Sequence, residues 1–99
     1  MADIPQLVVG LGNPGKEYAG TRHNVGFEIL ERVVTAAGLT FRPEKKWRAE
    51  MCRSAEGLLF LKPQTYMNLS GRAVAAVSRF YKIAPESILV VYDDVALPL

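Results

Sequence analysis

The sequence holds only one cysteine and one histidine in 99 residues. A lone Cys52 excludes an intramolecular disulfide and fits a reducing compartment. The same scarcity leaves no recognisable metal site, because one histidine, one cysteine and the adjacent Asp93 and Asp94 have no ligand spacing. No apolar run approaches the ~20 residues of a membrane span. The opening Met-Ala-Asp-Ile-Pro-Gln lacks both the basic and the apolar region of a secretory signal. These absences lead us to expect a soluble, cytoplasmic protein. Strong charge is missing too. A net charge of +2 is compatible with an anionic partner without demonstrating one.

What is present is ordinary for a globular chain, 49% hydrophobic and 22% charged, with no internal repeat, low-complexity segment or linker. The length suits one domain, or part of one. The most organised stretch is Gly10 to Gly26, G-L-G-N-P-G-K-E-Y-A-G-T-R-H-N-V-G. It follows the apolar Leu7-Val8-Val9 and precedes a helical pattern. A strand thus empties into a glycine-rich turn that carries Asn13 and then His23 to the mouth of a helix.

The remaining elements read as follows. Residues 6–10 form a buried strand, and a helix runs from about Arg22 to Ala37 with Thr21 as N-cap. Its apolar stripe is Phe27, Leu30, Val33 or Val34, and Ala37. Gly38 supplies a left-handed terminator. Thr40–Lys46, with Pro43, reads as a loop. Residues 47–54 and 58–62 read as a hairpin whose second arm lies deeper, stopped by Pro63. A second helix fits Leu69–Lys82, with Leu69, Ala73, Ala76, Val77 and Phe80 inward. Residues 88–92 form a last strand. This β-α-β-β-α-β order predicts an α/β fold, a mixed, mostly parallel twisted sheet with flanking helices.

In open sheets of this class ligands bind beyond the carboxyl ends of the strands. If the first, hairpin-second and last strands are parallel, Asn13, His23, Asn68 and Asp93 share one rim. Each residue has a bland account alone: a polar helix-terminus histidine, an N-cap asparagine, a turn aspartate. Their convergence is what the bland accounts do not explain. The match Gly10-x-Gly12-x-x-Gly15 does not indicate a dinucleotide site, since Pro14 and Gly15 intervene before the helical pattern and Glu28 and Glu31 lie inside it. No nucleophile motif surrounds Ser54 or Ser70. Direct attack by water remains: His23 as general base, Asp93 orienting its ring, asparagine amides holding the water and the developing oxyanion. Such a site suits an activated ester better than an amide. Arg42, Lys45, Lys46, Arg48 and Arg53, around Trp47, read either as a solvated edge or as a phosphate-tracking patch.

Three segments, G-L-G-N-P-G-K-E-Y-A-G-T-R-H-N-V-G, K-P-Q-T-Y-M-N-L-S-G and Y-D-D-V-A-L-P, resemble in order the signatures of bacterial-type peptidyl-tRNA hydrolase. The resemblance spans residue 6 to the end and covers approximately the amino-terminal half of that family's chain. It implies cleavage of the ester between a peptide and the 3′-terminal ribose of tRNA, recycling tRNA in translation. By this likeness His23 matches the catalytic base and Asp93 its supporting carboxylate. Asn13 and Asn68 match substrate-positioning residues, Met67 lines the peptide side, and Tyr18 matches a motif position in the turn. The implied partner is peptidyl-tRNA, with no cofactor, metal or membrane, and a monomer at full length. Ala96 stands where the family often has a second aspartate, and a further glycine-rich segment is absent. We therefore expect 1–99 to be the amino-terminal part of a single α/β hydrolase-type domain, with no second domain. The alternatives are a non-catalytic RNA-binding homologue and an inactive fragment.

Overall fold

The computed structural model describes residues 5–12, 25–64, 70–92 and 96–98. In chain order the elements are β1 (Leu7–Gly10), α1 (Val25–Ala36), β2 (Arg42–Glu44), β3 (Ala49–Arg53), β4 (Leu59–Pro63), α2 (Ser70–Phe80), β5 (Ile88–Val91) and β6 (Ala96–Pro98). Single 3₁₀ turns occupy Lys45–Trp47 and Pro85–Ser87. The strands form one sheet in the order β2-β3-β4-β1-β5-β6. β1 pairs in parallel with β4 on one side and with β5 on the other. The outer pairs β2–β3, β3–β4 and β5–β6 are antiparallel. The sheet is therefore mixed, parallel at its centre and antiparallel towards both edges, as the α/β reading requires.

Alternation along the strands sorts side chains onto two faces. Leu7 and Val9 of β1, Leu59 and Leu61 of β4, and Ile88 and Val90 of β5 pack with Val74 and Val77 of α2. Phe60 and Val91 face the other way and pack with Cys52 of β3 and with Leu30 and Val34 of α1. The sheet is thus sandwiched between α1 and α2. Leu7, Val9 and Leu61 are fully buried. Each such side chain contributes about 1.5–3 kcal/mol of transfer free energy. The two helices end alike. Leu39 N–H donates to the Val34 carbonyl and Gly38 N–H to that of Thr35, while Ile83 N–H donates to Ser78 and Lys82 N–H to Arg79. The residue at the reversal has positive φ in each, 76° at Gly38 and 58° at Lys82. This pairing of bonds is the Schellman arrangement.

Several expectations are corrected. Residues 42–44 are a strand rather than loop; all three are exposed, and Pro43 is tolerated because β2 is an edge strand. β6 was not foreseen. Pro63 closes β4 from inside it rather than stopping it beforehand. In α1 the stripe is Gly26, Leu30 and Val34, and both Val33 and Ala37 are exposed. In α2 the buried set is Ser70, Ala73, Val74 and Val77, whereas Phe80 is 58% exposed. Leu69, Thr21 and Arg22 lie outside the described residues. Among the described residues no helix is long and apolar enough to cross a membrane.

Candidate active site

The two crossovers dictate where a site can form. From β1 the chain passes over one face through α1 to β2, and from β4 it passes over the opposite face through α2 to β5. The helices that follow the neighbouring strands β1 and β4 thus lie on opposite faces of the sheet. That is a topological switch point, the place beyond the carboxyl ends of the strands where ligands of open α/β sheets bind. The segment after β1 contains Asn13, Tyr18 and His23, and the segment after β4 contains Met67 and Asn68. β5, on the far side of β1, leads directly into Asp93. All six of these residues lie outside the described ones, so the site is defined by what flanks them.

Three of the flanks meet at one point. Leu11 N–H donates to the Val91 carbonyl at 2.9 Å, which ties the end of β1 to the end of β5. Gly26, in the first turn of α1, lies against both. A Cβ built there would fall 2.6 Å from the backbone nitrogen and oxygen of Leu11 and closer still to the Val91 oxygen. A Cβ on Gly10 would fall 2.5 Å from the Gly26 oxygen. Only residues without side chains allow this approach of helix to sheet. In sequence Leu11 is two residues before Asn13, Gly26 three after His23, and Val91 two before Asp93.

The exit of β4 is anchored separately. Gln64, just after it, donates its backbone N–H to the Arg48 carbonyl at 2.7 Å and its side-chain amide to the Lys62 carbonyl at 3.2 Å. Ser70 opens α2 and is buried. On the α2 side an apolar groove of about 370 Å³ is bounded by Leu11, Ser70, Val74 and Val90, which places its upper end at the same rim. A larger cavity of about 510 Å³ borders Gly38, Arg53 and Leu59, at the opposite ends of the strands. The five basic residues around Trp47 are all exposed. Lys46 Nζ lies 4.9 Å from the Trp47 ring centroid and 4.5 Å from that of Phe80.

Two features escaped the sequence. Gly26 was visible as part of a glycine-rich motif, but its contact with Val91 joins residues too far apart in the chain for any spacing rule. Lys62 read only as the end of a strand. It is buried, ion-paired with Glu31 of α1 and, at 3.1 Å, with Glu50 of β3.

A model of the peptidyl-tRNA hydrolase family matches residues 7–99. The peptidyl-tRNA hydrolase of Thermus thermophilus is 59% identical over 93 residues, covering 94% of this chain and 47% of its own. That of Aromatoleum aromaticum is 50% identical over 98 residues, covering 98% of this chain and 50% of its own. A crystal structure of the Acinetobacter baumannii peptidyl-tRNA hydrolase superposes with a TM-score of 0.85 at 46% identity, over 93% of this chain and 48% of that one. The chain spans about half the length of the relatives it matches. With a family model covering nearly its whole length and a sheet that superposes on a solved member, the chain belongs to the peptidyl-tRNA hydrolase family.

Proposed function

We propose that this chain carries the hydrolytic centre of a cytoplasmic esterase that releases peptide from peptidyl-tRNA. In this reading His23 takes a proton from water as the water attacks the ester carbonyl. Asp93 accepts a hydrogen bond from the other ring nitrogen and fixes the tautomer. Asn13 and Asn68 donate amide hydrogens to the water-derived oxygen and the developing oxyanion. Collapse of the tetrahedral adduct returns the proton from the imidazolium to the departing ribose oxygen. Met67 lies towards the peptide, and Tyr18 lines the turn.

The observation that carries the reading is the three-way contact of Leu11, Gly26 and Val91. It joins the residues that stand two before Asn13, three after His23 and two before Asp93 in the chain, which supports the reading. Family membership supplies the substrate class. The test follows release of N-blocked peptide from tRNA by two proteins. One is the 99-residue chain, and the other is the same chain continued by the remaining half of the Thermus thermophilus relative. Hydrolysis by the longer protein that falls at least about 100-fold in His23→Ala is the expected result. Equal rates for parent and variant would remove His23 from the mechanism. Activity in the longer protein alone would show that this half carries the chemistry without completing the site.

A further inference from the structure

Lys62 is the most buried cation among the described residues, with 5% of its surface exposed. Its ammonium is ion-paired with Glu31 of α1 and with Glu50 of β3, and it lies 4.4 Å from the Phe41 ring centroid and 5.7 Å from that of Phe27. One side chain at the end of β4 thus touches the neighbouring strand, the residue leading into β2, and two positions of α1. Phe27 and Glu31 are four apart, so they stack on one stripe of the helix. That stripe lies within the first seven residues of α1, and Phe27 follows His23 by four residues.

Stability alone does not call for a lysine here. Filling such a site with an apolar side chain of similar volume is commonly neutral or favourable, whereas in some proteins a buried ion pair fixes the relative placement of the elements that supply its partners. An apolar residue at position 62 would pack on Phe41 and Phe27 at many rotations of α1. An ammonium held by carboxylates from α1 and β3 accepts few. Glu31 and Glu50 are partly exposed, so their water-facing oxygens remain solvated while the lysine is held between them.

We propose that Lys62 is a positioning residue. It clamps the first two turns of α1, which follow His23 in the chain, to the exit of β4, which precedes Asn68. The clamp bears on hydrolysis through the assignment of His23 as base, and it is tested with and without that assignment. The Lys62→Met variant removes the charge but strands two carboxylates. The triple variant Lys62→Met/Glu31→Gln/Glu50→Gln removes the whole network and keeps the volume. Hydrogen exchange of the α1 amides, compared with those of α2 in the same molecule, reads the clamp without reference to catalysis.

We expect exchange in α1 to quicken about 10-fold in the triple variant while α2 is unchanged, because a local opening has been made easier. In whichever protein hydrolyses peptidyl-tRNA, kcat falls about 10-fold or more with KM held within about 2-fold, as for misplacement of a base rather than loss of binding. Lys62→Arg restores most of kcat. Unaltered α1 exchange in a folded triple variant overturns the clamp. Quickened exchange with unchanged kcat overturns its catalytic consequence. Loss of kcat only in proportion to unfolded protein also overturns the positioning role. If His23→Ala is itself as active as the parent, the hydrolase mechanism fails, while the exchange result still decides the clamp.

Discussion

The first turn of α1 meets the end of β5 backbone to backbone: Gly26 leaves no room between its α-carbon and the carbonyl oxygen of Val91. The contact works because Leu11 N–H already bonds that same oxygen, so helix, central strand and outer parallel strand converge on one atom. Gly26→Ala must push the helix outward or break the Leu11 bond. The expected cost is about 1–3 kcal/mol, the range for overpacking a tight site. Gly71, in the first turn of α2, has nothing within 4 Å of a built Cβ. Gly71→Ala is therefore expected to gain about 0.5–1 kcal/mol from backbone entropy. Urea melts of the two variants should move in opposite directions, and in an active protein Gly26→Ala should lose turnover beyond its loss of stability.

The parallel centre of the sheet was legible because Leu7–Gly10, Leu59–Pro63 and Ile88–Val91 are compact, almost wholly apolar runs. Runs this short, bounded by glycine or proline or by turn residues, suit buried strands because a helix needs about 10 residues or more. β2 was illegible for the converse reason. Arg42, Pro43 and Glu44 are all exposed, and their strand conformation comes from pairing with Met51, Glu50 and Ala49. β6 is three residues that gain strand structure from β5. The rim expected of Asn13, His23, Asn68 and Asp93 rests on residues outside the described ones, and only their flanks bear on it. The Leu11–Gly26–Val91 contact and the pairing of Lys62 with Glu31 depend on tertiary juxtaposition, which periodicity does not encode.

Helix α1 gives a direct comparison within one dipeptide. Spacing left Val33 and Val34 both eligible for the buried face, and the structure buries Val34 while leaving Val33 47% exposed. Val34 packs with Leu30, Phe60 and Val91. Val34→Ala removes two buried methyl groups and is expected to cost about 2 kcal/mol. Val33→Ala removes methyls already in water and raises helix propensity, so stability should change by no more than about 0.5 kcal/mol. Equal destabilisation of the two variants in thermal melts would mean the helix is rotated from the orientation described.

Both helices end in the same reversal, but only α1 has glycine at the left-handed position. At the end of α2 Lys82 adopts φ 58° and carries a Cβ into a region unfavourable for L-residues. Its side chain is exposed, so nothing in the core depends on it. Lys82→Gly is expected to stabilise the chain by up to about 1 kcal/mol, and Gly38→Ala to destabilise it by a similar amount. Chemical denaturation measures both, and the midpoints should shift with little change in slope because neither substitution alters buried area.

Phe80 bears on how the surface of α2 is built. Helical spacing placed it inward, yet it is 58% exposed, with its ring 5.3 Å from that of Trp47 and 4.9 Å from that of Tyr81. Lys46 sits over the same ring, so the remaining face is partly covered by a cation. An edge-on aromatic pair is worth about 0.5–1.5 kcal/mol, and an exposed cation–π contact about 0.5–1 kcal/mol. These are the energies at stake, not those of a core. Phe80→Ala should therefore cost about 1 kcal/mol, well below the ~3–5 kcal/mol of a buried phenylalanine. Trp47 fluorescence provides an independent readout, since loss of the neighbouring ring exposes the indole and should shift its emission to the red with the fold intact. A cost in the buried range, with unchanged emission, would mean that Phe80 is packed inside the protein rather than beside Trp47 on its surface.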